Sequence, residues 1–269
     1  MARIAPVVLT IAGFDPSSGA GVTADIKTIA AHGCYGVACI TALTVQSTAG
    51  VRSVHPVSAK LVTETLNELS SDVEFAAIHV GMLGSEAVAE AVALFVAEGR
   101  YRNIVLDPVL KSTSGASLLD ALGLNVLTGK LMPVATVVTP NLAEAAVLAK
   151  MVVETQEDMR VAAAKIQEMG AAAVVLTGGH LAEPYDLLSF RGKEGVEQRF
   201  FKGERLQSTS THGTGCAFST SLACSLAKGM GLPEAVSFAG SYVRAAIASA
   251  NPLGKGIGPV DHLYRLHQE

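Results

Sequence analysis

In the last third of the chain, Thr211-His-Gly-Thr-Gly-Cys216 runs into a helical stretch from about Ala217. Glycines there let consecutive backbone N–H groups converge on one point at the positive end of a helix. Such a turn binds phosphate or stabilises an anion as it develops. The plainer reading is a glycine-rich helix start over a buried cysteine. In the chemical reading Gly213, Thr214 and Gly215 supply the amides, and Cys216 has a lowered pKa with some thiolate character.

A second glycine cluster, Gly13-Phe-Asp-Pro-Ser-Ser-Gly-Ala-Gly21, also runs into a helix, with Asp25 and Lys27 near its beginning. Its spacing is not GxGxxG, and no GxxxxGK[ST] occurs, so a Walker-type nucleotide loop is excluded. Asn141-x-x-Glu144 follows a strand-like run and Pro140. It reads equally as a helix capping pattern and as a carboxylate that helps hold hydrated Mg²⁺. Asp107, before Pro108, ends another apolar run, either as a turn former or as a carboxylate facing a metal or nucleotide. Gly254-x-Gly256-x-Gly258-Pro259 reads as a tight structural loop.

The elements that must position these residues follow from pattern. Strands are expected at 7–13, 37–45, 76–80, 104–107, 136–139 and 173–177, several of them continuously apolar, as in a parallel sheet covered on both faces. Helical spacing is expected over 85–98, 156–169, 214–228 and 233–250, and runs 186–190 and 197–201 flank a turn as an edge hairpin. The alternation predicts an α/β fold, a three-layer α/β/α sandwich on a mostly parallel sheet, with residues 1–269 forming one domain. Ligands in such sheets bind beyond the carboxyl ends of the strands. There the sequence places Gly13, Gln46, Gly81-Met82, Asp107-Pro-Val109, Pro140-Asn141 and Gly178-Gly179.

Composition narrows the class. A net charge of −4 over 269 residues excludes an electrostatic nucleic-acid binder. Hydrophobics make up 49% and charged residues 16%, yet the long uncharged stretches are broken by Gly, Ser, Thr and His, unlike a membrane-spanning helix. The apolar run from Val7 reads as a buried strand rather than a signal peptide, because Phe14-Asp15-Pro16 fits a turn. Four cysteines without metal-ligand spacing fit a reduced, cytoplasmic setting.

Taken in order, these motifs resemble the ribokinase-like superfamily, and more closely the hydroxymethylpyrimidine/phosphomethylpyrimidine kinases of thiamine biosynthesis. The carriers are Thr10-Ile-Ala-Gly13, Asp15-Pro-Ser-Ser-Gly-Ala-Gly21, Ala24-Asp25-x-Lys27, Ile40-Thr-Ala-Leu43 with Gln46-x-Thr48, Gly81-Met-Leu83, Asp107-Pro-Val109, Thr139-Pro-Asn-Leu-x-Glu144, Gly178-Gly-His180 and Thr211-His-Gly-Thr-Gly-Cys216. The resemblance implies phosphorylation, by ATP with Mg²⁺, of the hydroxymethyl group of 4-amino-5-hydroxymethyl-2-methylpyrimidine and then of its monophosphate. It implies Gly13, Asp25, Gln46, Gly81, Met82 and Val109 on the substrate side. On the nucleotide side it implies Asp107, Asn141, Glu144, Thr177, Gly179 and Thr211, with Asp107 and Glu144 toward the metal. Cys216 stands where related sugar kinases carry an aspartate base. A homodimer is implied, with no nucleic-acid or membrane partner.

The resemblance departs at Thr177, Thr209 and Thr113, where the family commonly has lysine; Lys111 is the nearby substitute. Fewer cations near the ATP phosphates weaken charge neutralisation. Two alternatives are a pyridoxal kinase of the same superfamily and a catalytically inactive pyrimidine-binding regulator. The segments 111–115 and 203–211 are candidate covers of the site.

Overall fold

The computed structural model describes residues 5–99, 101–112, 115–179, 183–193 and 195–267; Thr113 and His180, named above, lie outside them. The strands are β1 (Val7–Phe14), β2 (Tyr35–Ser47), β3 (Gly50–Pro56), β4 (Ala77–Val80), β5 (Ile104–Leu106), β6 (Val137–Val138), β7 (Ala173–Gly178), β8 (Tyr185–Gly192) and β9 (Gly195–Lys202). They form one sheet in the order β3-β2-β1-β4-β5-β6-β7-β8-β9. Strands β2 through β7 in that order pair in parallel, while β3, β8 and β9 are antiparallel.

The helices are α1 (Gly21–Ala31), α2 (Ala59–Asp72), α3 (Glu86–Glu98), α4 (Ala121–Val126), α5 (Leu142–Ala149), α6 (Gln156–Glu168), α7 (Thr214–Ala227) and α8 (Leu232–Ala248). Alternation along the strands divides the core. Leu9, Ile11, Ile78, Val80, Leu106 and Leu176 pack against α2–α6, whereas Val8, Ala77, Val105 and Val175 pack against α1, α7 and α8. The expected three-layer sandwich is therefore present. Among the described residues no helix is long and apolar enough to cross a membrane.

The chain leaves β1 toward β2 and β3, then returns to β4 on the other side of β1. Strand order thus reverses between β1 and β4, and a crevice opens beyond their carboxyl ends at such a switch point. Gly13 and Gly81 stand there. Strand β3 is an addition to the sequence reading, and β2 runs to Ser47, past the expected end at Val45, to pair with it.

Candidate functional site

Helix α7 begins at the switch point. Its N-cap, Gly213, has φ of +84° and no side chain caps the helix. Thr214 N donates to Thr211 O at 3.4 Å, and the first turn, which includes Gly215 and Cys216, has the geometry of an anion-binding helix start. A side chain at Gly213 would collide with the Gly19 carbonyl oxygen, so the two glycine clusters are pressed backbone to backbone.

A polar clasp locks that contact. Asp15, nearly buried, accepts hydrogen bonds from Ser17 N (2.8 Å), Ser17 Oγ (2.7 Å), Gly19 N (3.2 Å) and Ala20 N (3.0 Å). Its Oδ2 also lies 2.8 Å from His212 Nε2. Burial alone raises the Asp15 pKa, but the bonds from His212 and Ser17 outweigh it and hold the carboxyl below its ordinary value. The His212 ring is wedged against Gly19, where a Cβ would strike its Cδ2, and the Gln46 amide end lies 3.2 Å from Nε2. His212 N donates to Gly258 O and Gly256 N to Thr48 Oγ1, so the carboxyl-terminal glycine loop backs the clasp. Gln46 and His212, with Thr48, Gly50, Gly256 and Ile257, line a cavity of about 120 Å³.

The opposite wall is apolar. Met82, Ala42 and Leu118 form a small cluster joined by Val54 and Val109. A Cβ on Gly13 would stand 2.8 Å from Met82 Sδ, so only glycine lets that side chain lie over the end of β1. The structure therefore brings Gly13, Met82 and Val109 together.

Asp25 sits elsewhere than expected. It is fully buried beneath α7, with Oδ2 accepting from Thr10 Oγ1 (2.6 Å) and Oδ1 from Thr220 Oγ1 (2.8 Å); His79 Nδ1 is 3.3 Å from Oδ2. Both oxygens are used, which makes Asp25 a support under the site and not part of its wall. Thr10 and His79 are register partners on β1 and β4, on the face that packs against α1 and α7. Burial opposes protonation of His79, but Asp25 and then Asp107 raise its pKa, and among the described residues its Nε2 has no hydrogen-bond partner.

Two buried carboxyls complete the far side. Asp107 follows β5, and its Oδ2 is 3.9 Å from where a Gly215 Cβ would stand. Burial raises its pKa to about 6 despite His79 and Ser219. Glu144 forms the capping box of α5 with Asn141, its Oε2 accepting from Asn141 N at 2.9 Å, while Oε1 accepts from Leu110 N at 3.4 Å. Burial, then the Asp107 charge, pushes it to about 8. Thr177 N donates to Pro140 O at 3.1 Å, which joins the end of β7 to this corner, and Gly179 lies exposed just beyond.

The expectation of a Cys216 thiolate is reversed. Burial, with Asp25, Asp107 and Glu144 around it, raises the thiol well above its ordinary value and outweighs the bond from Gly21 N. The helix terminus is too weak a positive influence against three carboxyls. An open groove of about 780 Å³ lies along Arg205, Leu206, Ser208, Thr209, Ser210 and Pro252, leading to Thr211.

The sequence reading assigned no role to His79, His212 or Asp15. A histidine inside the apolar run of β4 was the one local signal available.

Comparison with known proteins agrees with this geometry. A family model described as phosphomethylpyrimidine kinase matches residues 15–261. The hydroxymethylpyrimidine/phosphomethylpyrimidine kinase of Streptomyces coelicolor is 41% identical over 262 residues, covering 97% of this chain and 96% of that protein. The thiamine biosynthesis bifunctional protein ThiED of Geobacter sulfurreducens is 41% identical over 258 residues. This match takes in 95% of the chain, which spans only about half (52%) of that protein. Among solved structures, the Staphylococcus aureus pyridoxal kinase in complex with AMP-PCP and pyridoxal superposes with a TM-score of 0.88 at 31% identity, covering 98% of this chain and 96% of that one. The phosphomethylpyrimidine kinase of Clostridium difficile gives 0.79 at 32% identity, covering 90% and 99%.

Proposed function

Because this chain belongs to the phosphomethylpyrimidine kinase family, we propose that it transfers the γ-phosphoryl group of ATP to the hydroxymethyl group of 4-amino-5-hydroxymethyl-2-methylpyrimidine, and then phosphorylates the monophosphate. The observation that carries this reading is the uncapped first turn of α7, set between the Gln46 amide and the Met82–Val109 wall on one side and the Asp107–Glu144 corner on the other. Phosphoryl transfer depends chiefly on positioning and on stabilising charge.

In this reading the Gly213, Thr214 and Gly215 amides cradle the phosphoryl group in flight. Gln46 reads the pyrimidine edge, since a carboxamide both accepts from an exocyclic amine and donates to the adjacent ring nitrogen, as when glutamine reads adenine. Met82 and Val109 hold the ring. Asn141, Thr177, Gly179 and Thr211 face the nucleotide, and Arg205 shares the open groove with Thr209, one of the positions where threonine replaces lysine.

Two buried carboxyls, both held above their ordinary pKa chiefly by burial and with Asp107 raising Glu144 further, suit a nearby Mg²⁺, which supplies charge neutralisation at the phosphates when bound. Among the described residues no three His, Cys, Asp or Glu side chains group as a full ligand set. Asp107 and Glu144 are therefore read as holding the ion through its water shell. A protonated Cys216 orients the hydroxymethyl group by hydrogen bonding and does not act as a thiolate base. One domain over 1–269, a cytoplasmic setting and a homodimer complete the reading; exposed Tyr35, Leu43 and Val45 on β2 offer apolar surface for a partner copy.

A second reading, pyridoxal phosphorylation, is favoured by the closer superposition on the S. aureus pyridoxal kinase. ADP release with Mg·ATP and each substrate separates the two. Gln46→Ala is expected to raise the pyrimidine KM far more than the ATP KM. Equal effects on both remove Gln46 from the substrate side, and no turnover with either substrate refutes the kinase reading.

A further inference from the structure

The Gln46 amide has two neighbours whose hydrogens can be assigned. Asp15 is an acceptor held in its charged form, so His212 Nε2, 2.8 Å away, carries the proton and donates it. That N–H cannot also accept from an amide NH₂ at 3.2 Å. On the other side Thr44 Oγ1 donates its single proton to Phe14 O at 3.0 Å, so toward Gln46, 3.2 Å away, it can only accept. Thr44 takes the amide nitrogen as its donor, and the His212 N–H, whose main acceptor is Asp15, repels an NH₂ and tolerates only the amide oxygen beside it, so the oxygen faces His212 and the nitrogen faces Thr44; which way an amide points is settled by its network. The His212 ring is itself packed tightly against Gly19 and its backbone is bonded to Gly258 and Val260, and Asp15 is fixed by its four further donors.

We infer that Asp15 and His212 are positioning residues for substrate specificity. They lock the Gln46 carboxamide so that the site takes a heteroaromatic edge with its exocyclic donor on the His212 side and its ring-nitrogen acceptor on the Thr44 side. This rests on the reading of Gln46 as the group that meets the ring. The lone pair left on the amide oxygen and the N–H left on the nitrogen then form a fixed acceptor–donor pair. A 4-oxo analogue of the pyrimidine, which presents an acceptor and a ring N–H in the reverse order, meets like against like.

The test compares kcat/KM for 4-amino-5-hydroxymethyl-2-methylpyrimidine with that for its 4-oxo analogue in wild type, His212→Leu, His212→Gln and Gln46→Ala. His212→Leu removes the N–H that keeps the amide nitrogen away from this side, and the preference for the amino substrate is expected to fall by roughly tenfold or more, with the ATP KM little changed. His212→Gln places an N–H near the position of Nε2 and is expected to keep most of the preference. Loss of preference in Gln46→Ala but not in His212→Leu overturns this inference alone. An unchanged preference in Gln46→Ala overturns the underlying assignment and the inference with it. Equal losses in the Leu and Gln variants, carried by kcat and ATP KM, reduce His212 to loop support and also overturn it. ¹⁵N spectra of the wild-type protein give a check that does not depend on any variant folding. A proton on His212 Nε2 at neutral pH is the expected result, and a bare Nε2 refutes the assignment.

Discussion

Gly213 and Gly215 stand two residues apart at the start of α7, and alanine at the two positions is expected to act in opposite directions on stability. At Gly213 the backbone has φ of +84°, which costs an L-residue roughly 1–2 kcal/mol. The new Cβ also meets Gly19 backbone, colliding with its carbonyl oxygen and standing 2.9 Å from its carbonyl carbon. Backbone cannot swing aside as a side-chain end does, so the clusters must part, at about 1–3 kcal/mol for an overpacked contact. A total of roughly 2–5 kcal/mol lowers Tm by about 5–15 °C, at about 3 °C per kcal/mol in a chain of this size. Separation by even ~1 Å misplaces the first-turn amides proposed to cradle the phosphoryl group, and kcat is expected to drop by about 10². At Gly215 an added Cβ meets only Asp107 Oδ2 at 3.9 Å, and alanine in a helix gains about 0.5–1 kcal/mol over glycine. Gly215→Ala should therefore unfold at or above the wild-type temperature, while its methyl group, beside Asp107 Oδ2, still lowers kcat. Calorimetry with steady-state ADP release measures both quantities. A Gly213→Ala protein as stable as wild type, or a Gly215→Ala protein destabilised as much, refutes the reasoning.

Two further outcomes follow from the buried ionisable groups. Glu144 ionises near pH 8 in the folded protein against an ordinary value of 4.5, so the folded state holds a proton that the unfolded chain releases. The stability it contributes is complete below the unfolded value and is lost as pH rises from there to about 8. Glu144→Gln, which keeps an acceptor in the capping box, should flatten the fall of Tm over that window in the ligand-free protein, and parallel curves for the two proteins disprove the shift. The raised thiol of Cys216 should make its alkylation by iodoacetamide at neutral pH much slower than that of an unstructured cysteine peptide; peptide mapping at several times resolves the site, and a matching rate contradicts the protonated state.

Sequence pattern revealed the elements that carry strong local signals. Largely apolar runs marked β1, β4, β5 and β7, and the glycine spacing marked the starts of α1 and α7. Strand β3, reading Gly-Val-Arg-Ser-Val-His-Pro, escaped notice because an edge strand needs one apolar face and carries charge and proline on the rest. The candidate site was legible as a set of strand ends, since topology puts those ends together whatever their partners. What the pattern could not show was how side chains divide the work. Asp25 looks like a site carboxylate by position, yet Thr10, Thr220 and His79 claim both of its oxygens from three other elements. The Asp15–His212 bond joins residues 197 apart in sequence, a separation at which no periodicity or spacing survives. Cys216 shows the same limit: the helix start was visible, but not the three carboxyls that reverse its effect on the thiol.

The loop at 254–260 touches Thr48 through Gly256 N and Ile257 N, and His212 through Gly258 O and Val260 N. On a translating ribosome it is made long after the first seven strands, which lie within residues 7–178, have emerged and can pair. The sheet can thus form as a nascent scaffold while the Gln46–His212 cavity still lacks its rear wall. A polypeptide released before Gly254 would keep those seven strands and lose the backbone bonds that hold His212 beside Gln46, so the pocket closes only after the scaffold that carries it has been made.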